Sequence, residues 1–420
     1  MRGSPELARR LGTGDAVVIG LGSMVGAGVF AAFAPAARAA GAGLLIGLAL
    51  AAAVAYCNAT ASAQLAAEYP ESGGTYVYGR ARLGPWWGFL AGWGFVVGKT
   101  ASCAAMALTF AAYTVPTPWQ RPTAVVVVLS LTAVNYRGIT RTAALTRVIV
   151  AVVLVALGVA VVASLAGGDP DPARLMAGTD GASAYEVLQS AGLLFFAFAG
   201  YARIATLGEE VRDPERTIPR AIPLALGLAV GVYAVVALAL LLVLGPDGVA
   251  ATAAPVVAAV DAGTWSGLVP VVRFGAAAAS LGALLALIAG VSRTVLAMAR
   301  ESDLPRGLSA VHPRYRVPHR AELVLAGAVC LLVLTVDLRG AIGFSSFGVL
   351  LYYAVANLAA FTQTPERRRW PRALQVGGVL GCLVLVATLP WTSVVAGAAV
   401  FVAGVLYRGA RLRLRPHRPA

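Results

Sequence analysis

Apolar residues in this chain fill long continuous blocks, and short stretches of charged residues, Pro and Gly separate them. A bilayer core about 30 Å thick takes roughly 20 apolar residues per helix. Backbone N–H and C=O groups find no water there, so each block is expected to be helical. About twelve spans meet this pattern: 16–34, 43–65, 85–113, 122–136, 145–165, 185–207, 221–244, 271–298, 321–336, 341–361, 374–389 and 394–406. The fourth, ninth and twelfth are short. The stretch 254–267 is too short and too polar to cross, and reads as an external helix or lid. The predicted class is therefore an all-α membrane protein that forms a single transmembrane domain over residues 1–420.

Composition strengthens this reading. The 420 residues are 59% hydrophobic and 12% charged, against roughly a quarter charged in soluble domains. The formal net charge of +14 does not point to nucleic acid, because the arginines sit in particular loops. With the N-terminus inside, the inner loops hold clusters such as Arg212, Arg216 and Arg220, or Arg367, Arg368, Arg369 and Arg372. The outer loops hold only Arg38, Arg121, Arg174 and Arg339, together with Asp169, Asp171, Asp180, Asp247 and Asp261. This bias sets the orientation, and an even number of spans puts both termini in the cytoplasm. The N-terminal segment lacks a convincing cleavage site and reads as leading into a retained first span. Cys57, Cys103, Cys330 and Cys382 all lie in apolar blocks, with spacing that fits neither a disulfide framework nor zinc. His312, His319 and His417 fall in loops or the tail, which leaves no histidine for an intramembrane site. Neither a metal nor a cofactor is expected. A membrane enzyme would need a mid-membrane cluster of His, Asp or Glu, and the spans offer little beyond Lys99 and Arg203.

The first span carries Gly20, Gly22, Gly26 and Gly28 within nine residues. Each glycine weakens a helix by about 1 kcal/mol relative to Ala. Small residues at such spacing suit close helix packing. They equally suit a broken helix, whose second half turns N–H groups and a positive dipole end toward an anion. The sixth span has a matching interruption at Phe195-Phe196-Ala197-Phe198-Ala199-Gly200-Tyr201. Spans one and six are corresponding members of two five-helix halves, and paired interruptions of that kind point to a binding site in an inverted repeat.

Several motifs resemble the amino acid–polyamine–organocation superfamily. They are Gly22-Ser23-Met24-Val25-Gly26-Ala27-Gly28-Val29-Phe30, Tyr69-Pro70-Glu71-Ser72-Gly73-Gly74-Thr75-Tyr76, and the stretch from Glu209-Glu210 to Asp213-Pro214-Glu215-Arg216. Ser292-Arg293, Ala297-Met298-Ala299-Arg300 and Leu304-Pro305 follow in the family's order. The resemblance implies a five-plus-five inverted repeat of the leucine-transporter type, with halves at 16–165 and 185–361, two additional helices at 374–406, and alternating access. It also implies that Ser23, Met24, Val25, Gly26, Ala27 and Gly28 meet a substrate carboxylate. Carbonyls near Ser23, Phe196 and Ala199 would take the α-ammonium, and Phe196 would act as an aromatic gate. The remaining wall would include Cys103, Ala197 and Gly200.

Lys99 is the only lysine in the chain and lies midway along the third span. A charge at that depth costs a few kcal/mol and is functional by default. It either exchanges a proton and so couples transport to protons, or faces the substrate side chain and disfavours cations; a structural lysine bonded to carbonyls is the plain alternative. Arg203 is assigned to a gate or an internal pair. Glu209 and Glu210 are assigned either to a solvated loop or to an inner gate pairing with Arg147 or Arg293. Asn357 is expected to join two helices, and Trp86-Trp87 and Tyr352-Tyr353 to serve as interface anchors or packing. The leading expectation is a secondary amino acid transporter in the cell membrane, working as a proton symporter or an exchanger. A polyamine or organic-cation carrier would need a pocket carboxylate, and a non-transporting sensor would bind without moving substrate. Which amino acid is carried and the oligomeric state are left open.

Overall fold

The computed structural model describes residues 11–70, 73–138, 143–176, 181–205 and 210–413. Among them, helices occupy all twelve expected positions. Nine helical stretches are long and apolar enough to cross a membrane. The fourth (Thr117–Tyr136), ninth (His319–Thr335) and eleventh (Arg372–Thr388) helices fall short of that measure because they are briefer or more polar. The twelfth runs Trp391–Arg413 and is longer than its apolar block suggests. Val155, Val162, Leu228, Leu331 and Leu406 are exposed on the outside of the bundle. Such an exterior suits hydrocarbon, where an apolar surface costs nothing. The protein is a multi-pass membrane protein.

Local chemistry sets the helix ends. Gly84 adopts φ +100° and Pro85 opens the third helix, Pro85–Thr114, at a position where its missing N–H is harmless. The Ser183 hydroxyl caps the sixth helix by accepting from the N–H of Glu186, whose carboxylate accepts from the N–H of Ser183. The seventh helix, Pro214–Ala251, kinks at Gly245 (φ 67°), next to the expected end of that span. The polar stretch beyond it forms the short helix Pro255–Asp261, tied down where the Thr264 N–H donates to the carbonyl of Gly167.

The third helix is central. It lies along the tenth, Leu338–Phe361, with Gly98 and Gly348 at the contact. A Cβ on Gly98 would stand 2.9 Å from the carbonyl of Ser345, so the backbones meet without side chains between them. The Asn357 amide donates to Asn58 Oδ1 at 2.6 Å, which joins the tenth and second helices as expected. All four cysteines are free thiols.

Candidate functional site

Both interruptions are present. The first span is helical over Thr13–Met24, stops at Val25 (ψ 40°) and Gly26 (ψ −137°), and resumes at Ala27. It then bends at Ala32 while keeping helical hydrogen bonds (Ala32 N–H to Gly28, Ala36 N–H to Ala32) and ends at Ala40. The sixth span is helical over Ala184–Phe198, turns at Ala199–Tyr201, and makes one further turn at Ala202–Ala205. The two breaks touch. A Cβ on Gly200 would lie 2.2 Å from the Ser23 carbonyl oxygen, and one on Gly28 would lie 2.7 Å from Ala197 Cα. Close packing and helix breaking, the two readings of the glycines, are thus one feature.

A cavity of about 260 Å³ lies beside this crossing. Ser23, Met24, Ala27 and Gly28 line it from the first span, and Phe196, Ala197, Ala199 and Gly200 from the sixth. Lys99 reaches it from the third. Phe95, Ser102 and Met106 share that helix, and the eighth, Val269–Arg300, adds Ala283, Leu287 and Gly290. Val25, Gly26 and Cys103, expected on the wall, stand off it. Val25 turns into the core, Gly26 faces Ala283 of the eighth helix, and Cys103 is sealed one turn beyond Lys99.

The carbonyl of Ala199 is the chemical centre of the sixth break. It accepts from Lys99 Nζ at 3.1 Å and from the Tyr353 hydroxyl at 3.3 Å. A carbonyl has two lone pairs, so these two donors fill it. The neighbouring carbonyl of Ala197 accepts from the Tyr233 hydroxyl at 2.9 Å. Lys99 is 7% exposed and, among the described residues, forms no ion pair with a carboxylate. At the first break the N–H groups from Gly26 onward begin a half-helix, where an α-helix leaves its first donors without intrahelical acceptors. The Ser23 hydroxyl donates to the carbonyl of Ile19 at 2.8 Å.

At one end the cavity reaches the surface, past Arg203, Glu210 and Arg293, of which Glu210 and Arg293 are exposed. Arg203 lies close enough to Arg293 and Glu210 to feel both charges. Arg147 is paired with Asp15 instead, so of Arg147 and Arg293 it is Arg293 that stands at this mouth. The N–H of Leu11 donates to the carbonyl of Glu210 at 3.1 Å, which ties the start of the described chain to the same rim. Glu209 lies outside the described residues. At the other end the cavity is shut by a cluster of Ala31, Ala105, Leu193, Phe196, Ala341 and Ile342, all buried.

A family model for amino acid permeases matches residues 15–412. The chain belongs to the amino acid permease family. The permease is 64% identical over 97% of its length to an uncharacterised transporter of Mycobacterium tuberculosis, covering 92% of that protein. It is 25% identical to the branched-chain amino acid permease BcaP of Bacillus subtilis, over 94% of this chain and 90% of that one. It is also 27% identical to the methylthioribose transporter of Bacillus subtilis, over 86% and 80% respectively. It is a transporter and not an enzyme.

Sequence reasoning missed three parts of this permease's site. Tyr352 lines the cavity and Tyr353 bonds the Ala199 carbonyl, so the aromatic pair is part of the site and not only packing. Nothing in a Tyr-Tyr dipeptide says which helix it faces. Tyr76 also lines the cavity, held by its hydroxyl donating to Asp303 at 2.9 Å. Asp303 is buried and further accepts from Arg80 at 3.0 Å and Arg408 at 2.6 Å. That ion cluster fastens together the helix Thr75–Leu83, the segment just after the eighth helix and the twelfth helix.

Proposed function

We propose that this permease carries a small neutral or acidic amino acid across the cell membrane by alternating access, as a proton symporter or an exchanger. In this reading residues 16–165 and 185–361 are the two halves of an inverted repeat, 374–406 add two helices, and both termini are cytoplasmic. The cavity is then open to the cytoplasm, with Phe196 closing the outer side.

The occupied Ala199 carbonyl carries the reading. The substrate carboxylate goes to the N–H groups that begin the half-helix at Ala27, where the dipole also favours it. The ammonium needs carbonyls of the sixth break, and Lys99 and Tyr353 already fill that of Ala199. Substrate reaches it only as Lys99 withdraws. A lysine that loses its proton no longer competes as a cation, and this links binding to proton movement. The same lysine repels a cationic side chain, and among the described residues the one carboxylate on the wall, Glu210, is at the mouth. A cationic amino acid or a polyamine therefore finds no partner deep in the cavity.

The test is uptake of a labelled amino acid panel into proteoliposomes, with and without an inward proton gradient, for wild type and Lys99→Ala. Wild type is expected to accumulate a neutral or acidic amino acid with the gradient, and the variant to exchange it without responding to the gradient. Clear preference for arginine or lysine would sink the substrate class. Binding without any movement would favour a sensor.

A further inference from the structure

A second cavity, of about 360 Å³, lies on the opposite side of the Phe196 plug. Leu338 packs on that plug and lines the second cavity, while Phe196 belongs to the plug and lines the first. One thin apolar layer therefore separates the two spaces. Three of the four arginines that charge bias assigns to outer loops, Arg38, Arg121 and Arg339, converge on this outer cavity from the first, fourth and tenth spans. Among the described residues the single acidic one on its wall, Asp337, uses Oδ1 to cap the N–H of Gly340 at 2.8 Å. Three positive charges thus face one negative charge.

Each guanidinium is anchored by one contact that leaves most of its five donors unused. Arg38 donates to the carbonyl of Ala250 at 2.6 Å, Arg121 to that of Leu334, and Arg339 to Gln189 Oε1 at 3.1 Å. The acceptors are neutral, and among the described residues none of the three arginines is in a salt bridge. Arg339 Nε is buried with no hydrogen-bond partner. Arg38 and Arg121 thereby cap the last carbonyls of the seventh and ninth helices, a place that favours a cation, and each still has donors to spare for a ligand. Guanidinium groups match a carboxylate two-pronged and favour it over water in such a setting.

We propose that this outer cavity is a carboxylate-binding antechamber, which captures the incoming amino acid by its carboxylate before Phe196 opens. It rests on the reading of the permease as carrying an amino acid. Its field also draws anions inward, an effect that salt screens.

The test uses proteoliposomes of one orientation and labelled L-leucine and L-glutamate, with wild type, the Arg121→Gln/Arg339→Gln double variant and the corresponding Lys pair. The Gln pair is expected to raise KM from the outer face by about tenfold, the size of one charge-assisted contact. The maximal rate of influx and the KM at the inner face should stay unchanged, and detailed balance then lowers the maximal rate of efflux by the same factor. The Lys pair keeps the charge and should lie between. In wild type alone, sulfate at constant ionic strength should compete at the outer face and not at the inner one. Equal shifts at both faces, or no shift and no sulfate competition, would overturn the antechamber. Should neither amino acid move, thermal stabilisation by sulfate in wild type but not in the Gln pair would still support the outer anion site, and the transport reading alone would fail. Sulfate that slows transport while the outer KM of variant and wild type coincide would mean an inorganic-anion site and would overturn the substrate role.

Discussion

The two breaks face the same cavity and are chemically opposite. At the first, the chain leaves donors: N–H groups at the head of the half-helix that begins at Ala27, with the one nearby hydroxyl, Ser23, turned back to Ile19. At the sixth it leaves acceptors, and they are taken: Lys99 and Tyr353 on Ala199, Tyr233 on Ala197. The difference follows from helix polarity. A helix start leaves N–H donors without intrahelical partners, and a helix end leaves C=O acceptors. Bare carbonyls buried in a bilayer cost several kcal/mol each, and Lys99 and Tyr353 satisfy that of Ala199. In the proposed reading the first break offers its donors to the carboxylate, and the ammonium has to displace Lys99 or Tyr353 from the sixth.

The largest expected effect comes from forcing the breaks apart. Gly200→Ala puts a methyl against the Ser23 carbonyl and within 2.6 Å of the Met24 nitrogen, both backbone atoms that cannot swing aside. Overpacking of that kind costs about 3 kcal/mol. Uptake should be abolished and the thermal unfolding midpoint in detergent lowered; near-normal transport would show that the breaks need not touch. Next is Lys99→Ala, which empties one lone pair on Ala199 and should remove the response to a proton gradient while sparing exchange, as counterflow reads it. If the variant still accumulates substrate, Lys99 is a structural partner only.

Tyr353→Phe is a milder probe of the same carbonyl. Losing one hydrogen bond of about 1 kcal/mol should lower the unfolding midpoint. It should also tighten substrate binding by up to about fivefold, because the ammonium no longer shares that oxygen. Weaker binding, measured by scintillation proximity, would refute the idea that the sixth break is pre-filled. The smallest effect belongs to Ser23→Ala. Its hydroxyl already serves Ile19, so KM should change by less than about twofold, within the range of a lost local bond. A large rise in KM would move the anion contact from backbone to side chain and erase the contrast.

Much of this was legible in the residues. The helical blocks follow from the length of apolar runs, and a break was one of two readings of Gly20, Gly22, Gly26 and Gly28, supported by the matching interruption at Gly200 in the sixth span. Lys99 stands out because a lone charge in an apolar block has to be accounted for. The motif order from the first helix to the start of the ninth already suggested the family that the comparisons established. The partner of Lys99 was less clear. A carbonyl was one reading, but the sequence did not single out that of Ala199, 100 positions away.

By itself, then, the sequence determined that the chain is a helical membrane protein with one lysine among apolar neighbours, and it pointed to the family and to interruptions in the first and sixth spans. Those are properties of local composition, which the bilayer reads segment by segment. Only the tertiary structure decided that Val25, Gly26 and Cys103 leave the wall while Tyr76, Tyr352 and Tyr353 serve the site. It alone brought Arg38, Arg121 and Arg339 around one cavity. Which side of a buried helix faces a cavity is set by packing between distant segments, and a helix that is apolar all round carries no stripe to announce it.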